Sequence, residues 1–466
     1  MFIATVGEIC NAVKGCLVEG IESTKVTGVS TDSRNIKPGM LFIALKGERF
    51  DGHDFIADAL KSGVVAVIAE YFPDNVKKTI EGNQSLIKVK DTLFALQNLA
   101  TYHRKKILQG PLVAVTGSSG KTSTKNLVAS VLSTNFKVLK TTGNHNNEIG
   151  LPLTLLNLTP EHQVAVVEMA MRGPGQIAAL AEIAEPNVGV ITNIGTSHLE
   201  LLGSINNIAS AKGELLTSLP PEGVAILNGD DQWCRRLANK CGCRVLYYGV
   251  KNPADVSAKD IKYLDWEGTE FKVVFPDEEE VKIKIPVLGL HNVYNSLAAL
   301  TVGYHLGLKP KNMIKGFTEW PVEGMRQELK VGPKGSMVFN DAYNANPESM
   351  KAALKVLETL PGRKIAVLGD MRELGHEAVN LHKELGRVVA KAGIYRLITV
   401  GKLAKKIATG AMEAGMSPKQ IFICFAHREA AKYLKDLGKG DIVLFKGSRL
   451  IGMEKVLKAW EEMFNG

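Results

Sequence analysis

Residues 112–126 read LVAVTGSSGKTSTKN, and this stretch decides the fold of the middle of the chain. Residues 112–115 form an apolar run typical of a buried strand, a glycine- and serine-rich turn follows, and Lys121 opens a helical pattern. Backbone N–H groups of such a turn point at phosphate oxygens, the lysine neutralises them, and a threonine hydroxyl can ligate Mg²⁺. The pattern therefore predicts a nucleotide-phosphate site, made by Gly117, Ser118, Ser119, Gly120, Lys121, Thr122 and Ser123.

One position departs from the common phosphate-loop pattern. That pattern begins with an additional glycine, and Val115 stands in its place here, so that the shorter form Thr-Gly-X-X-Gly-Lys-Thr remains. The alternative interpretation is an ordinary glycine–serine turn with an exposed lysine. The strand before the turn and the helix after it favour the phosphate site over that alternative.

Length and composition indicate a large globular protein with a small anionic substrate. The chain has 466 residues, of which 45% are hydrophobic, enough for about three domains with their own cores. The net charge of +9 is spread along the chain, and only 6% of the residues are aromatic. Because no basic block alternates with aromatic residues, we expect a nucleotide or carboxylate partner and no nucleic acid.

The cysteines and the apolar runs point to a reduced, non-membrane protein. The cysteines at positions 10, 16, 234, 241, 243 and 424 are too few and too irregular for a disulfide framework or a zinc site. The N-terminal residues MFIATVGEIC lack a basic leader. No apolar run approaches the roughly 20 residues of a membrane span. We therefore expect a cytoplasmic protein without membrane insertion.

Strand and helix patterns predict an α/β fold in three domains, with boundaries at 1–84, 85–315 and 316–466. The first is a small α/β domain. The second is a mononucleotide-binding domain with a mostly parallel sheet, edged by the alternating strands FKVVF and VKIKI. The third alternates strands and helices like a Rossmann sheet. The predicted elements are strands at 40–44, 64–69, 164–167, 188–192, near 338, and at 365–368, 397–400 and 442–445, and helices at 92–104 and 293–306.

Polar side chains follow the predicted strands of the second domain. Glu168 ends the strand VAVVEM, and Asn193 and His198 follow the strand VGVITN. Ligands of open α/β sheets bind at these carboxyl ends. Glu168 suits the same Mg²⁺ as Thr122, with a helix cap or an ion pair as its alternative, and His198 alone is compatible with an ordinary loop histidine. A polar rim is contributed by Asn144, Asn146 and Asn147.

Eight segments occur in the order TGSSGKTSTK, GNHNNEIGLPLT, TNIGTSHLE, AKGELL, GLHNVYNSLAAL, DAYNANPESM, LGDMRELG and FKGSR. Together with a first-domain segment that starts at Thr31, they resemble the Mur ligases of bacterial cell-wall synthesis, up to Arg449 and so over almost the whole chain. DAYNANPESM followed by LGDMRELG is the most specific part and is typical of the members that add D-alanyl-D-alanine. The Asp-Asn-Pro-Arg signature of the diaminopimelate-adding members is absent.

The resemblance implies a three-domain, ATP-dependent ligase that works as a monomer. Its first domain would hold UDP-N-acetylmuramoyl-tripeptide, its second ATP, and its third D-alanyl-D-alanine. The substrate carboxylate would attack the γ-phosphate of ATP, and the dipeptide amine would then attack the acyl phosphate, which gives a pentapeptide, ADP and phosphate. Two Mg²⁺ ions would accompany Lys121 in spreading the charge of the transferring phosphoryl group.

The resemblance also implies roles for single residues. Thr122 and Glu168 would serve the first metal ion. His198 and Lys212 would serve the second, with Lys212 carrying a carbamate that turns a cation into an oxygen ligand. The remaining nucleotide contacts would come from Arg326 at the γ-phosphate, Asn292 and Asn295 at the adenine, and Asp341 at the ribose.

The two other substrates would be bound by loops of the outer domains. The UDP-sugar residues implied by the resemblance are Thr31, Asp32, Ser33, Arg34, Lys46, Gly47, Asp51 and His53. The dipeptide residues are Tyr343, Asn344, Asn346, Lys446, Ser448 and Arg449. The alternative interpretations are that Arg34 is an ordinary surface arginine and that Asn292 and Asn295 are ordinary polar residues at the start of a helix.

Two departures and two alternative functions accompany this resemblance. Ala170 stands where the family usually has glycine, and Gln176 stands where a glutamate is common. Folylpolyglutamate synthase shares the phosphate loop and the acyl-phosphate chemistry but lacks the uridine-binding domain and DAYNANP. A nucleotide-switch ATPase would explain the loop and the charge, but not Lys212, Arg326 and Asp341 at ligase positions.

Overall fold

The structure, a computed structural model, describes residues 2–47, 49–73, 76, 80, 82, 84–277, 280–321 and 323–464. The N-terminal part contains a sheet in the order β2-β7-β6-β5-β4, parallel except at β2, and a small antiparallel pair of β1 and β3. Its elements are β1 (Ile3–Thr5), α1 (Val6–Val13), β2 (Cys16–Glu19), β3 (Lys25–Thr27), β4 (Val29–Ser30), β5 (Leu41–Ile43), α2 (Ile56–Lys61), β6 (Ala66–Ala69) and β7 (Ser85–Lys88).

Strand β7 bears on the predicted boundary between the first and second domains. It starts at Ser85, directly after the predicted boundary at 84, yet it pairs with β6 and β2 of the N-terminal sheet. The first sheet therefore extends to Lys88, past the predicted boundary. The predicted strands at 40–44 and 64–69 correspond to β5 and β6 with shorter ends.

The middle part is built on a long sheet in the order β16-β15-β14-β13-β12-β11-β8-β10-β9. Strands β8 to β14 pair in parallel, and β14, β15 and β16 form an antiparallel edge at FKVVF and VKIKI. Its first elements are α3 (Thr92–Ile107), β8 (Leu112–Thr116), α4 (Lys121–Leu132), β9 (Val138–Lys140), α5 (Gly150–Leu155), β10 (Val164–Glu168), α6 (Gln176–Ala184), β11 (Val188–Ile191), α7 (Leu199–Leu202) and α8 (Ile205–Thr217). The rest are β12 (Val224–Asn228), α9 (Gln232–Ala238), β13 (Arg244–Gly249), β14 (Val256–Tyr263), β15 (Thr269–Val274), β16 (Glu280–Ile285), α10 (Leu290–His305) and α11 (Pro310–Met313).

Strand β8 occupies the position that creates the binding crevice. It lies between β10 and β11, so that strands which follow it along the chain lie on both of its sides in the sheet. Residues 112–115 are fully buried, because helices cover both faces of this parallel sheet. The segment after β8 therefore opens at a point where the strand order reverses, which is where α/β sheets bind ligands.

The C-terminal part contains a sheet in the order β17-β18-β22-β19-β20-β21, parallel except at the β17 edge. The predicted α/β architecture with a Rossmann-like third part is confirmed. Its elements are β17 (Glu328–Val331), β18 (Met337–Asn340), α12 (Pro347–Thr359), β19 (Arg363–Gly369), α13 (Ala378–Lys391), β20 (Arg396–Val400), α14 (Ala404–Glu413), β21 (Ile421–Cys424), α15 (His427–Lys432), β22 (Asp441–Lys446) and α16 (Glu454–Glu462).

Helix α12 starts at the sequence signal expected of a helix N-terminus. Asn346 is its cap, since its side chain accepts a hydrogen bond from the backbone N–H of Ser349 at 2.8 Å. Pro347 occupies the first helical position, where a missing N–H costs nothing.

Among the helices of the described ranges, none has the length and apolar character that a membrane span requires.

Candidate functional site

The segment from the end of β8 into the first turn of α4, called here the phosphate loop (residues 117–122), has two positions whose backbone strongly favours glycine. Gly117 has φ 147° and Gly120 has φ 78°. A Cβ at Gly117 would lie 1.9 Å from Thr192 Oγ1, so any side chain there would collide with the end of β11. The same Thr192 hydroxyl donates to the carbonyl of Ser119 at 2.6 Å. Asn193 adds two hydrogen bonds to the Ser119 backbone, each of 3.0 Å. The neighbouring strand thus fixes the loop.

Lys121 lies within this loop rather than in solvent. Its Nζ donates to the carbonyl of Gly117 at 2.9 Å. Burial lowers the pKa of Lys121, while Glu168 opposes this shift and Arg326 adds to it. Two cations and a carboxylate are therefore close enough to interact around the loop, which is the charge distribution that an incoming polyphosphate needs.

Glu168 and Thr122 fit a hard cation. Glu168 Oε1 accepts a hydrogen bond from Asn146 Nδ2 at 2.7 Å, which places the predicted polar rim against this carboxylate. Its other oxygen, Oε2, is buried and has no hydrogen-bond partner among the described residues. A buried, unsatisfied carboxylate oxygen is costly unless a cation accompanies it. With the buried hydroxyl of Thr122, it is the type of oxygen donor that Mg²⁺ prefers.

His198 begins the short helix α7 with a left-handed backbone, φ 66°. Its Nδ1 lies 2.6 Å from Oε2 of Glu373, a residue of the C-terminal part that the sequence analysis did not single out. A carboxylate on one ring nitrogen fixes the imidazole and leaves Nε2 as the nitrogen that can ligate a metal ion. The arrangement is therefore compatible with a metal-binding role for His198.

Lys212 is buried on α8 without a partner. It is 1% exposed, and its ammonium forms no hydrogen bond or ion pair with the described residues. Burial, together with the charge of Lys121, lowers the pKa of Lys212 well below its usual value. An ammonium group does not fit a cation site. A neutral amine can react with CO₂, and the resulting carbamate would supply the oxygen ligands that the site lacks.

The predicted nucleotide residues of the middle and C-terminal parts line one cavity of about 720 Å³. Its walls combine the phosphate loop with residues of the C-terminal part. Some predicted residues lie outside this lining, namely Gly117, Asn147, His198, Lys212, Ser448, Arg449 and the first-domain set. The predicted residues that line it are Ser118, Ser119, Gly120, Lys121, Thr122, Ser123, Asn144, Asn146, Glu168, Asn193, Asn292, Asn295, Arg326, Asp341, Tyr343, Asn344, Asn346 and Lys446.

Arg326 lies where the two parts meet over the cavity. The centre of its guanidinium lies 3.8 Å from the ring centroid of Tyr343, which holds the planar cation by a cation–π contact. Its Nε lies 3.5 Å from Oε2 of Glu323. These two contacts hold the side chain at the cavity wall.

Asn292 and Asn295 lie on the first turns of α10 with buried side chains. Asn295 Oδ1 accepts from Thr124 Oγ1 at 3.1 Å, which ties α10 to α4. Asn292 Nδ2 donates to Gln327 Oε1 at 2.6 Å. Gln327 also contacts His291. Sequence reasoning missed Gln327, although it follows Arg326 directly in EGMRQE.

The structure brings the predicted ribose and dipeptide residues together. Lys446 Nζ lies 2.6 Å from Asp341 Oδ2 and donates to the carbonyl of Asn344 at 3.0 Å. Lys446 therefore forms an ion pair with Asp341. Ser448 Oγ accepts from the backbone N–H of Arg372 at 2.9 Å, and Arg449 Nη1 lies 3.0 Å from Glu454 Oε1. These last contacts fix the FKGSR loop.

The predicted UDP-sugar residues form two loops of the N-terminal sheet. Asp32 caps a short 3₁₀ turn over Ser33–Asn35 and binds Arg34 through both carboxylate oxygens, at 2.9 and 2.8 Å. The Arg34 side chain is 86% exposed, so its guanidinium also faces solvent. This loop therefore presents one cation at the surface. Thr31 precedes Asp32 in the same segment.

The second loop is braced by a buried histidine. Lys46 and Asp51 form an antiparallel bridge, and the Gly47 N–H closes the turn at the carbonyl of Phe50. Asp51 Oδ1 lies 2.6 Å from Nδ1 of His53. His53 is buried and its Nε2 accepts from the backbone N–H of Glu70 at 3.0 Å. His53 thus orients Asp51 from beneath the loop.

Three family models together match most of the chain. Residues 25–104 match the Mur ligase family catalytic domain, residues 115–303 the Mur ligase middle domain, and residues 325–449 the Mur ligase glutamate ligase domain. The UDP-N-acetylmuramoyl-tripeptide–D-alanyl-D-alanine ligase of Bacillus subtilis (strain 168) is 41% identical over 462 residues, which is 98% of each chain.

Solved structures agree with these matches. MurF from Acinetobacter baumannii superposes with a TM-score of 0.90 at 32% identity and covers 99% of both chains. The MurF ligase from Thermotoga maritima, solved in complex with ADP, has a TM-score of 0.83 at 31% identity and covers 94% of this chain and 98% of its own. The resemblance suggested by the motifs is thereby confirmed, and the chain belongs to the Mur ligase family.

Proposed function

We propose that the chain is the ATP-dependent ligase that adds D-alanyl-D-alanine to UDP-N-acetylmuramoyl-tripeptide. The products are UDP-N-acetylmuramoyl-pentapeptide, ADP and phosphate. The name of the Bacillus subtilis relative supports the substrates, and the ADP complex of the Thermotoga maritima neighbour supports the nucleotide. The observation that carries the proposal is the cavity of about 720 Å³, in which the phosphate loop faces Arg326, Asp341 and the DAYNANP loop.

The chemistry follows from the cost of making an amide from a carboxylate. The terminal carboxylate of the tripeptide attacks the γ-phosphorus of ATP, and ADP leaves. The dipeptide amine then attacks the carbonyl of the acyl phosphate, and phosphate leaves. Lys121 neutralises the phosphate oxygens from the loop side, and Arg326, stacked on Tyr343, does so from the opposite wall.

Metal ions would be held on the phosphate-loop side of the cavity. Thr122 and Glu168 would hold one Mg²⁺, since Glu168 Oε2 is buried and without a donor among the described residues. A second ion would be held by His198 and a carbamate on Lys212. Bound Mg²⁺ would supply charge neutralisation at the phosphates. The residues around it orient these oxygens and keep the loop rigid.

The remaining assignments describe how the other substrates bind. Adenine would contact Asn292 and Asn295, and the ribose would contact Asp341. The tripeptide nucleotide would be held by the first-domain loops, with Arg34 as the partner of its diphosphate. The dipeptide would be held by the DAYNANP and FKGSR loops. The enzyme would work as a cytoplasmic monomer, as the resemblance to the Mur ligases implies.

A four-component omission series tests this proposal. Purified protein is mixed with ATP, Mg²⁺, UDP-N-acetylmuramoyl-tripeptide and D-alanyl-D-alanine, and the products are measured by mass spectrometry with each component left out in turn. We expect pentapeptide and ADP in equal amounts only in the complete mixture. Turnover of glutamate with a folate acceptor, or steady ATP hydrolysis without an amide product, would contradict the proposal.

A further inference from the structure

Three consecutive residues of the middle part are each held by one side chain of the C-terminal part. Thr196 donates from its backbone N–H at 3.2 Å and from Oγ1 at 3.0 Å to Glu348. Ser197 Oγ accepts from Asn346 Nδ2 at 2.7 Å. His198 Nδ1 lies 2.6 Å from Glu373 Oε2, and the Glu373 carbonyl accepts a hydrogen bond from the backbone N–H of Glu200. The side chains of Asn346, Glu348 and Glu373 are called the clasp below.

The loop held by the clasp is bonded directly to the phosphate loop. Ser197 Oγ donates to the carbonyl of Ser118 at 3.1 Å. Gly195 N–H donates to Ser118 Oγ at 2.8 Å. A Cβ on Gly195 would lie 2.9 Å from Glu348 Cδ, so glycine permits the close approach of the clasp. A displacement of the C-terminal part is therefore transmitted to Ser118 through a continuous chain of hydrogen bonds.

Asn346 is the central member of the clasp because its amide contacts three elements. Its Oδ1 caps α12, while its Nδ2 donates both to Ser197 Oγ and, at 2.8 Å, to Ser119 Oγ of the phosphate loop. Glu348 is exposed, so its contact contributes less than that of the half-buried Asn346. The amide thus links the start of a C-terminal helix to the turn that would hold the phosphates.

We infer that Asn346 is a positioning residue that couples closure of the C-terminal part to the phosphate loop, rather than a contact of the dipeptide. The inference rests on the proposed function, because it concerns the fate of the acyl phosphate. With the clasp formed, the cavity is closed over the intermediate and the amine is the nucleophile that reaches it. With the clasp weakened, water attacks the same carbonyl, and the products are the original carboxylate and phosphate. ATP is then consumed without amide formation.

The variant Asn346→Ser removes the clasp contacts of this residue but keeps its role as a helix cap. Serine caps a helix about as well as asparagine, so α12 should keep its N-terminus, but its side chain is too short to reach Ser119 and Ser197. We expect kcat for the pentapeptide to fall roughly tenfold, as two lost hydrogen bonds suggest. The ratio of ADP to pentapeptide should rise from one to at least two, with the affinity for UDP-N-acetylmuramoyl-tripeptide unchanged. If Asn346 had only a structural role, the formation of ADP and of pentapeptide would fall together and their ratio would stay at one.

Ser197→Ala is the second variant, since it removes one acceptor on the opposite side of the contact. Its ratio of ADP to pentapeptide should also exceed one, by less than that of Asn346→Ser. In the double variant the two effects should add up to less than their sum, because the two residues share one interaction while Ser197 keeps a second one with Ser118 in Asn346→Ser. Glu358→Gln, on the exposed side of the same helix and with its side chain paired to Lys355, is the matched control and should remain fully coupled.

Different outcomes test the proposed function and the role of Asn346. If the unmodified protein forms no pentapeptide, the proposed function is wrong. If it forms pentapeptide and ADP one to one, and both Asn346→Ser and Ser197→Ala keep that ratio, the positioning role of Asn346 is wrong while the function stands. Should Asn346→Ser not fold, as judged by thermal unfolding, the ratio in Ser197→Ala decides.

Discussion

Lys446 Nζ and Asp341 Oδ2 lie 2.6 Å apart, and both residues are buried where two parallel strands end beneath the cavity. Asp341 follows β18, Lys446 ends β22, and the preceding residues Asn340 and Phe445 are register partners. The pair therefore joins the DAYNANP and FKGSR motifs, which are about a hundred residues apart in sequence. It gives the predicted ribose contact a fixed orientation.

Breaking this pair should destabilise the C-terminal part. Lys446→Met leaves the Asp341 carboxylate buried without its partner, which we expect to cost about 3 kcal/mol and to lower the midpoint of thermal unfolding. The double variant Asp341→Leu/Lys446→Met removes both charges and should recover most of the loss. A double variant as unstable as Lys446→Met would show that the two charges do not compensate each other.

Asp341→Ala should separate nucleotide use from binding of the tripeptide nucleotide. Because Asp341 lines the cavity and lies far in sequence from the N-terminal loops, we expect KM for ATP to rise at least tenfold, equivalent to about 1.4 kcal/mol. The Kd for UDP-N-acetylmuramoyl-tripeptide, measured by calorimetry without ATP, should stay within about twofold, less than a single hydrogen bond contributes. Loss of that binding as well would contradict the division of labour between the parts.

Lys212→Ala should abolish most activity. The buried amine has no partner among the described residues and its pKa is lowered by burial, so it is suited to react with CO₂. A short carboxylic acid such as acetate should restore part of the activity by supplying oxygen at the vacated position. A carbamate signal in ¹³C NMR after addition of labelled bicarbonate should be present in the unmodified protein and missing in Lys212→Ala. Lys240→Ala, an exposed lysine, is the control. Full activity in Lys212→Ala would show that Lys212 is an ordinary helix residue.

The variant Glu168→Gln should lose activity while keeping its thermal stability. The amide keeps an oxygen for Asn146 but removes the buried negative charge, whose Oε2 has no partner in the described ranges. We expect turnover to fall at least a hundredfold and the Mg²⁺ concentration for half-maximal activity to rise, as for loss of a metal ligand. The thermal midpoint should change little, because the lost attraction to Lys121 is offset by the removal of a buried carboxylate oxygen that has no hydrogen-bond partner among the described residues. An unchanged Mg²⁺ dependence would argue against metal binding by Glu168.

Local patterns predicted much of the fold, because strands, turns and helix caps depend on neighbouring residues. The strand before Gly117, the helix after Lys121 and the capped start of α12 all follow from such signals. Position at a strand end was enough to single out Glu168. These features require no knowledge of which distant segments meet.

The contacts between distant segments could not be read from the sequence. Glu373 stands in LGDMRELG without a local signal for its contact with His198, 175 residues earlier in the numbering. The pairing of Lys446 with Asp341 likewise depends on the order of strands in the sheet, which local patterns leave open. For the same reason the first boundary was placed before β7, whose partners become known only from the sheet. The roles of single site residues stay predictions.

Isotope transfer from the substrate carboxylate tests the central claim most directly. UDP-N-acetylmuramoyl-tripeptide labelled with ¹⁸O in its terminal carboxylate is incubated with ATP, Mg²⁺ and D-alanyl-D-alanine, and both products are analysed by mass spectrometry. Because the carboxylate oxygen that attacks the γ-phosphorus leaves with the phosphate, each turnover should release one ¹⁸O-labelled phosphate and one pentapeptide that retains a single ¹⁸O. Pentapeptide formed together with unlabelled phosphate, or labelled tripeptide recovered unchanged while ATP is consumed, would contradict the account.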